Sequence, residues 1–137
     1  MYLIDSSLKN EIKKIHYLKK ATVFIFENFL VVEYNQDAIV DFDCIAETYH
    51  LLSHYSEQKN CFGYISNRVH KYTLKIADFI KIKSLAQKKY PTAIVIYDEQ
   101  GLNEYKFEQQ IANCKAIVCK SLNEAVNSLS LSLTKAC

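Results

Sequence analysis

Five residues within one short stretch carry side chains suited to recognition: Ser66, Asn67, Arg68, Tyr72 and Thr73. They follow the largely apolar run Cys61-Phe62-Gly63-Tyr64-Ile65 and precede an amphipathic segment. The planar guanidinium of Arg68 can clamp an acidic group with two parallel hydrogen bonds. A helix starting just downstream would add free N–H donors for the same anion. Ser66 offers a hydroxyl for nucleophilic use. Tyrosine and arginine are the residues that most often anchor protein interfaces, and Tyr72, within the polar stretch, is expected to be reachable. The plainer alternative is a satisfied loop, in which Asn67 and Arg68 tie a strand end to Asp98 or Glu99.

The remaining reactive side chains form no recognisable motif. His50 and His54 lie four apart with Glu47 one turn earlier, but a third ligand and the internal Glu of a His-Glu-x-x-His helix are missing. A solvated face is expected there, not a metal site. The five cysteines (Cys44, Cys61, Cys114, Cys119, Cys137) are odd in number and not tightly spaced. Reduced thiols are expected, with Cys119 inert inside an apolar strand. With two glycines in the chain, no Walker, Rossmann or Gly-x-Ser-x-Gly pattern occurs. An aspartyl receiver domain would need an aspartate ending the central strand, where Ser66 and Asn67 stand. No catalytic residue, metal or cofactor is implied.

Composition narrows the partners. The net charge of +2 leaves no strong field for nucleic acid, and the lysines at 9, 13, 14, 19 and 20 and at 81, 83, 88 and 89 read as solvated faces. No segment approaches the roughly 20 apolar residues of a membrane span. The start, Met1-Tyr2-Leu3-Ile4-Asp5, lacks the features of a secretory signal, so a cytoplasmic protein is expected. At 137 residues, half of them apolar, one domain over 1–137 is expected, with 1–10 a poorly determined lead-in.

The elements that must position Arg68 follow from periodicity. Residues 12–17 are weakly strand-like, and 21–26 and 29–34 are rich in β-branched and aromatic residues around Glu27-Asn28, which predicts a hairpin. Asp41 precedes Phe42, Ile45, Tyr49 and Leu52, the stripe of a helix with an aspartate N-cap. Residues 61–66 predict a buried central strand. A second helix over 76–90 has the stripe Ile76, Phe79, Ile82 and Ala86, spoiled by Lys83, and Pro91 ends it. Strands over 92–97 and 115–119 bracket a helix over 102–112. Ser121-Leu122-Asn123-Glu124 is a capping box opening the last helix. Strands alternating with helices after a hairpin imply a mixed, mostly parallel sheet of four to six strands with about four helices. Its carboxyl edge would gather Ser66-Asn67-Arg68, Asp98-Glu99 and Lys120-Ser121.

That order resembles the SpoIIAA-like fold of the STAS family, and Phe62-Gly63-Tyr64-Ile65-Ser66-Asn67-Arg68-Val69 resembles a Tyr-Ile-Ser-Asn-Arg stretch of small bacterial STAS/SEC14-like proteins. The resemblance spans about residues 20–134 and includes the 24–32 hairpin and the Tyr90-Pro91-Thr92-Ala93-Ile94-Val95 strand opening. It implies a non-enzymatic regulatory or scaffold module that binds a protein partner through the loop from Ser66 to Thr73. Regulatory members carry a phosphorylated serine in an Asp-Ser-Ser-Gly-like segment; here Ser66 corresponds by position, without the aspartate and glycine. The SEC14-like relatives imply an alternative, a carrier of a lipid or apolar acid with Arg68 or Lys83 at its head group. Neither resemblance nor composition indicates an oligomeric state.

Overall fold

The computed structural model describes residues 1–85, 89–113 and 115–136, with side chains through 133. Among these residues, eight strands and four α-helices follow in the order β1 (Lys14–Tyr17), β2 (Ala21–Ile25), β3 (Phe29–Tyr34), β4 (Ile39–Val40), α1 (Phe42–Ser56), β5 (Gly63–Asn67), β6 (Thr73–Leu74), α2 (Ile76–Leu85), β7 (Thr92–Val95), α3 (Glu99–Ala112), β8 (Ile117–Cys119) and α4 (Leu122–Ala136). The chain is α/β, as its periodicity predicts.

Six strands form one sheet in the order β1-β2-β3-β5-β7-β8. The first two pairings are antiparallel and the last three parallel. Each parallel step moves one place in the same direction. Right-handed crossovers taken in one direction leave α1, α2 and α3 on one face, and α4, after the last strand, covers the other.

Strand alternation sorts the core accordingly. On one face Val31, Ile65, Ala93 and Val95 meet Leu122, Ala125 and Leu129 of α4. On the other, Leu30 and Val32 meet Ile45 and Leu52 of α1 and Ile82 of α2. Ile94 and Ile96 pack with Tyr105 of α3.

Capping chemistry sets the helix starts. The Asp41 and Asp98 side chains accept from the N–H groups of Cys44 and Gly101, and the Ser121 hydroxyl accepts from Glu124. Because Asp98 is the N-cap, α3 begins at Glu99, one turn before the predicted 102.

Several expectations need correction. The lead-in, poorly determined from sequence, takes a definite place: Leu3 and Leu8 sit in two 3-10 turns (Leu3–Asp5, Ser7–Glu11) and are buried in the core under the sheet. The short parallel pair β4–β6, absent from the predicted order, holds Thr73 against Ile39. Two-residue strands leave too little alternation to read. The central strand starts at Gly63, not Cys61, because α1 is followed by a turn that reaches Asn60. The described part of α2 ends at Leu85; residues 86–88, including the predicted stripe residue Ala86, lie outside the described residues, as do Cys114 and Cys137. Cys44 and Cys119 are buried free thiols, raised in pKa mainly by burial, as expected. Cys61, however, is disulfide-bonded, which wide cysteine spacing could not reveal. No helix among the described residues is long and apolar enough to cross a membrane.

Candidate functional site

Alternation along β5 splits the predicted recognition residues between two faces of the sheet. Tyr64 and Ser66, with Arg68 just beyond the strand, point toward α1–α3, whereas Gly63, Ile65 and Asn67 point toward α4. The two groups do different things.

Asn67 is buried in a polar knot that fastens the start of the chain. Its Nδ2 donates to Glu33 Oε2 at 2.6 Å and to the Met1 carbonyl at 3.0 Å. The Tyr97 hydroxyl lies 2.7 Å from Asn67 Oδ1 and 3.1 Å from the same carbonyl. The Leu3 N–H donates to Glu33 Oε2 at 2.8 Å. Burial and the nearby Glu33 push the Tyr97 hydroxyl up to about 12, while its bond to Asn67 works the other way. Residues 1–3 are thus fastened across the carboxyl edge of β3, β5 and β7, where a crevice would otherwise open. Asp98 and Lys120 are spent on helix starts, Asp98 as a cap and Lys120 through its N–H to Glu124.

On the other face lies a cavity of about 530 Å³ between α1, α2, α3 and the sheet. It exists because the sheet beneath α2 presents the small side chains Ser66 and Thr92 beside Tyr64 and Ile94, while α2 is short and only Ile82 of its residues is fully buried. The walls are mostly rings: Tyr34, Tyr49, Tyr64, Tyr72, Tyr90, Tyr105 and Phe79. Burial pushes the Tyr34 and Tyr64 hydroxyls up, so both stay neutral, and Tyr34 bonds Thr48 Oγ1 at 3.1 Å. Tyr90 bonds the Ser56 hydroxyl at 3.3 Å. Aromatic walls with polar tips suit a ligand that is largely apolar but not purely aliphatic.

Arg68 lines this cavity, and its fork is occupied. Its two terminal nitrogens donate to the two oxygens of Glu108 on α3, at 3.1 and 2.6 Å. This is an internal tie, as in the satisfied-loop alternative, but its acid is Glu108 of α3 and not Asp98 or Glu99. The pair is largely desolvated, with side chains 12% and 15% exposed. Tyr72 and Tyr105 flank the guanidinium, with ring centroids 5.3 and 5.6 Å from Cζ. Burial weakens the charge, but Tyr72 and Glu108 more than offset that and hold the Arg68 pKa above its ordinary value. The buried Nε–H has no acceptor among the described residues. An orphan buried donor in a cavity wall is a place for a ligand acceptor.

Of the five predicted residues, Ser66, Arg68 and Tyr72 come together in the cavity, Asn67 is on the opposite face, and Thr73 is exposed in β6. Ser66 is buried, and Tyr72, expected to be reachable, is half-buried with its hydroxyl raised by burial. Sequence reasoning missed Glu108, Tyr105, Tyr34 and Tyr90. The available signal was ten tyrosines in a chain with no tryptophan, too many polar-tipped rings for a dry core. His50 and His54 are exposed, and the described residues hold no metal-binding cluster. Compared with known protein families, curated proteins and solved structures, the chain matches none.

Proposed function

We propose that this protein is a non-catalytic binding module that holds a small, largely apolar molecule in the tyrosine-lined cavity. The observation that carries the reading is the cavity itself: about 530 Å³, within the roughly 300–1,000 Å³ range of ligand pockets, walled by rings and bearing one unsatisfied donor. It corresponds to the carrier alternative implied by the SEC14-like resemblance. A protein-docking module working through 66–73 is the other reading; it draws on exposed Lys71 and Thr73, since Ser66 and Asn67 are buried. The geometry favours the ligand. We further propose a relation to the STAS family and a cytoplasmic setting.

The test is binding of an uncharged aromatic probe, phenylnaphthylamine, followed by its fluorescence. Ala112 lines the cavity from the end of α3, half-buried, where a larger side chain has space to enter. The wild-type protein is expected to bind the probe, and Ala112→Phe to abolish binding while melting cooperatively. Equal binding by both proteins would place the probe elsewhere and remove the reading's support.

A further inference from the structure

The cavity has two chemically different ends, and we infer that its ligand is an elongated organic anion whose acid group lies at the end opposite Arg68. This rests on the ligand-binding reading above. Strand register fixes the layout. Tyr64, at the start of β5, pairs with Thr92 at the start of β7, and Ala93 pairs with Ile117 of β8. Lys89, three residues before Thr92, and Lys115, two before Ile117, therefore lie at the amino ends of these strands. Arg68 lies past their carboxyl ends, four residues beyond Tyr64, or ~13 Å at about 3.3 Å per residue. The α2 helix runs back along the sheet and brings Lys83 to the same end as the other lysines. There its Nζ donates to the Asn113 carbonyl at 3.3 Å, beside Lys115.

Charge is distributed unevenly between these ends. Glu108 is the one acidic residue in the described lining, and both its oxygens are engaged by Arg68. Lys83, Lys89 and Lys115 all line the cavity, and none forms an ion pair among the described residues. Lys89 and Lys115 are exposed and Lys83 half-buried, so this end is the wet mouth. Three uncompensated ammonium groups around an apolar hollow concentrate positive potential there. At the far end the charge of Arg68 is neutralised by Glu108, and its Nε–H suits an uncharged acceptor better than a second anion. The shape selected is acid at the mouth, rings or chain among the tyrosines, and a carbonyl or hydroxyl at the inner tip.

Two fluorescent probes of closely similar shape separate charge from cavity: anilinonaphthalene sulfonate, an anion, and phenylnaphthylamine, its uncharged counterpart. At low salt the sulfonate is expected to bind the wild-type protein roughly tenfold more tightly. The K83Q/K89Q/K115Q protein is expected to lose that advantage while keeping its affinity for the amine. The K83R/K89R/K115R protein, which keeps the charge, is expected to retain it. A sulfonate affinity no better than the amine's, or unchanged in the glutamine variant, overturns the inference and leaves the cavity reading standing. Failure of the wild-type protein to bind either probe overturns both.

Discussion

Arg68 is a charged side chain sealed between two tyrosine rings, and Glu108 is what makes its burial tolerable. Removing one partner of such a pair leaves the other charge uncompensated. Glu108→Gln is therefore expected to cost about 2–4 kcal/mol in urea unfolding, with much of the loss recovered in the R68M/E108L double variant. A loss in the double variant equal to the sum of the singles would mean that the two side chains do not act as a pair. Tyr97 gives a pH dependence. Its folded pKa is raised to about 12 from an ordinary 10, so the stability it lends is full below about pH 10 and is lost as pH rises toward 12. Urea melts across that range are expected to show a smaller alkaline loss in Tyr97→Phe than in the wild-type protein, the remainder coming from Tyr34, Tyr64 and Tyr72, whose hydroxyls burial also raises. At this scale the sequence was partly legible. Arg68 was recognisable as a clamp because its type dictates a planar fork, but its acid lies forty residues away on another helix. The separation of Asn67 from Ser66 and Arg68 follows from alternation as soon as the strand is known to include residue 67.

Gly63 shows how one element constrains another. A Cβ at this first position of β5 would overlap Leu129 Cδ2 and come 2.9 Å from its Cγ, and Leu129 is itself fully buried in α4. Gly63→Ala is expected to destabilise the protein by about 1–3 kcal/mol through overpacking. Adding Leu129→Ala should then cost less than it does alone; chemical denaturation of the four proteins measures that coupling. The elements with strong periodicity (β2, β3, α1, β7 and α4) were legible, because a buried face imposes its period on the sequence. The α2 helix read poorly for a physical reason. It does not seal against the sheet, so it needs no continuous apolar stripe, and the lysine that spoils its pattern, Lys83, lines the mouth of the cavity. The polar knot at Asn67 was illegible because its partners come from the first residues of the chain, from β3 and from Tyr97 just past β7, which only folding brings together.

For the whole molecule, alternation of strands and helices sufficed to predict a mostly parallel sheet, but not where a ligand would sit. That depended on strand order. A sheet whose parallel strands follow one another in a single direction has no reversal point to open a crevice at its carboxyl edge, and here residues 1–3 are fastened across that edge. The space left over lies between the sheet and the three helices of one face. Its presence could have been suspected from ten tyrosines, but its volume and its charged ends required the fold. The central claim is that this space holds a small molecule, and native mass spectrometry of protein incubated with a small-molecule extract of its own cells tests it most directly. The account expects an added mass of a few hundred daltons on the wild-type protein and none on Ala112→Phe. A bare wild-type mass, or an adduct kept by the filled variant, would contradict it.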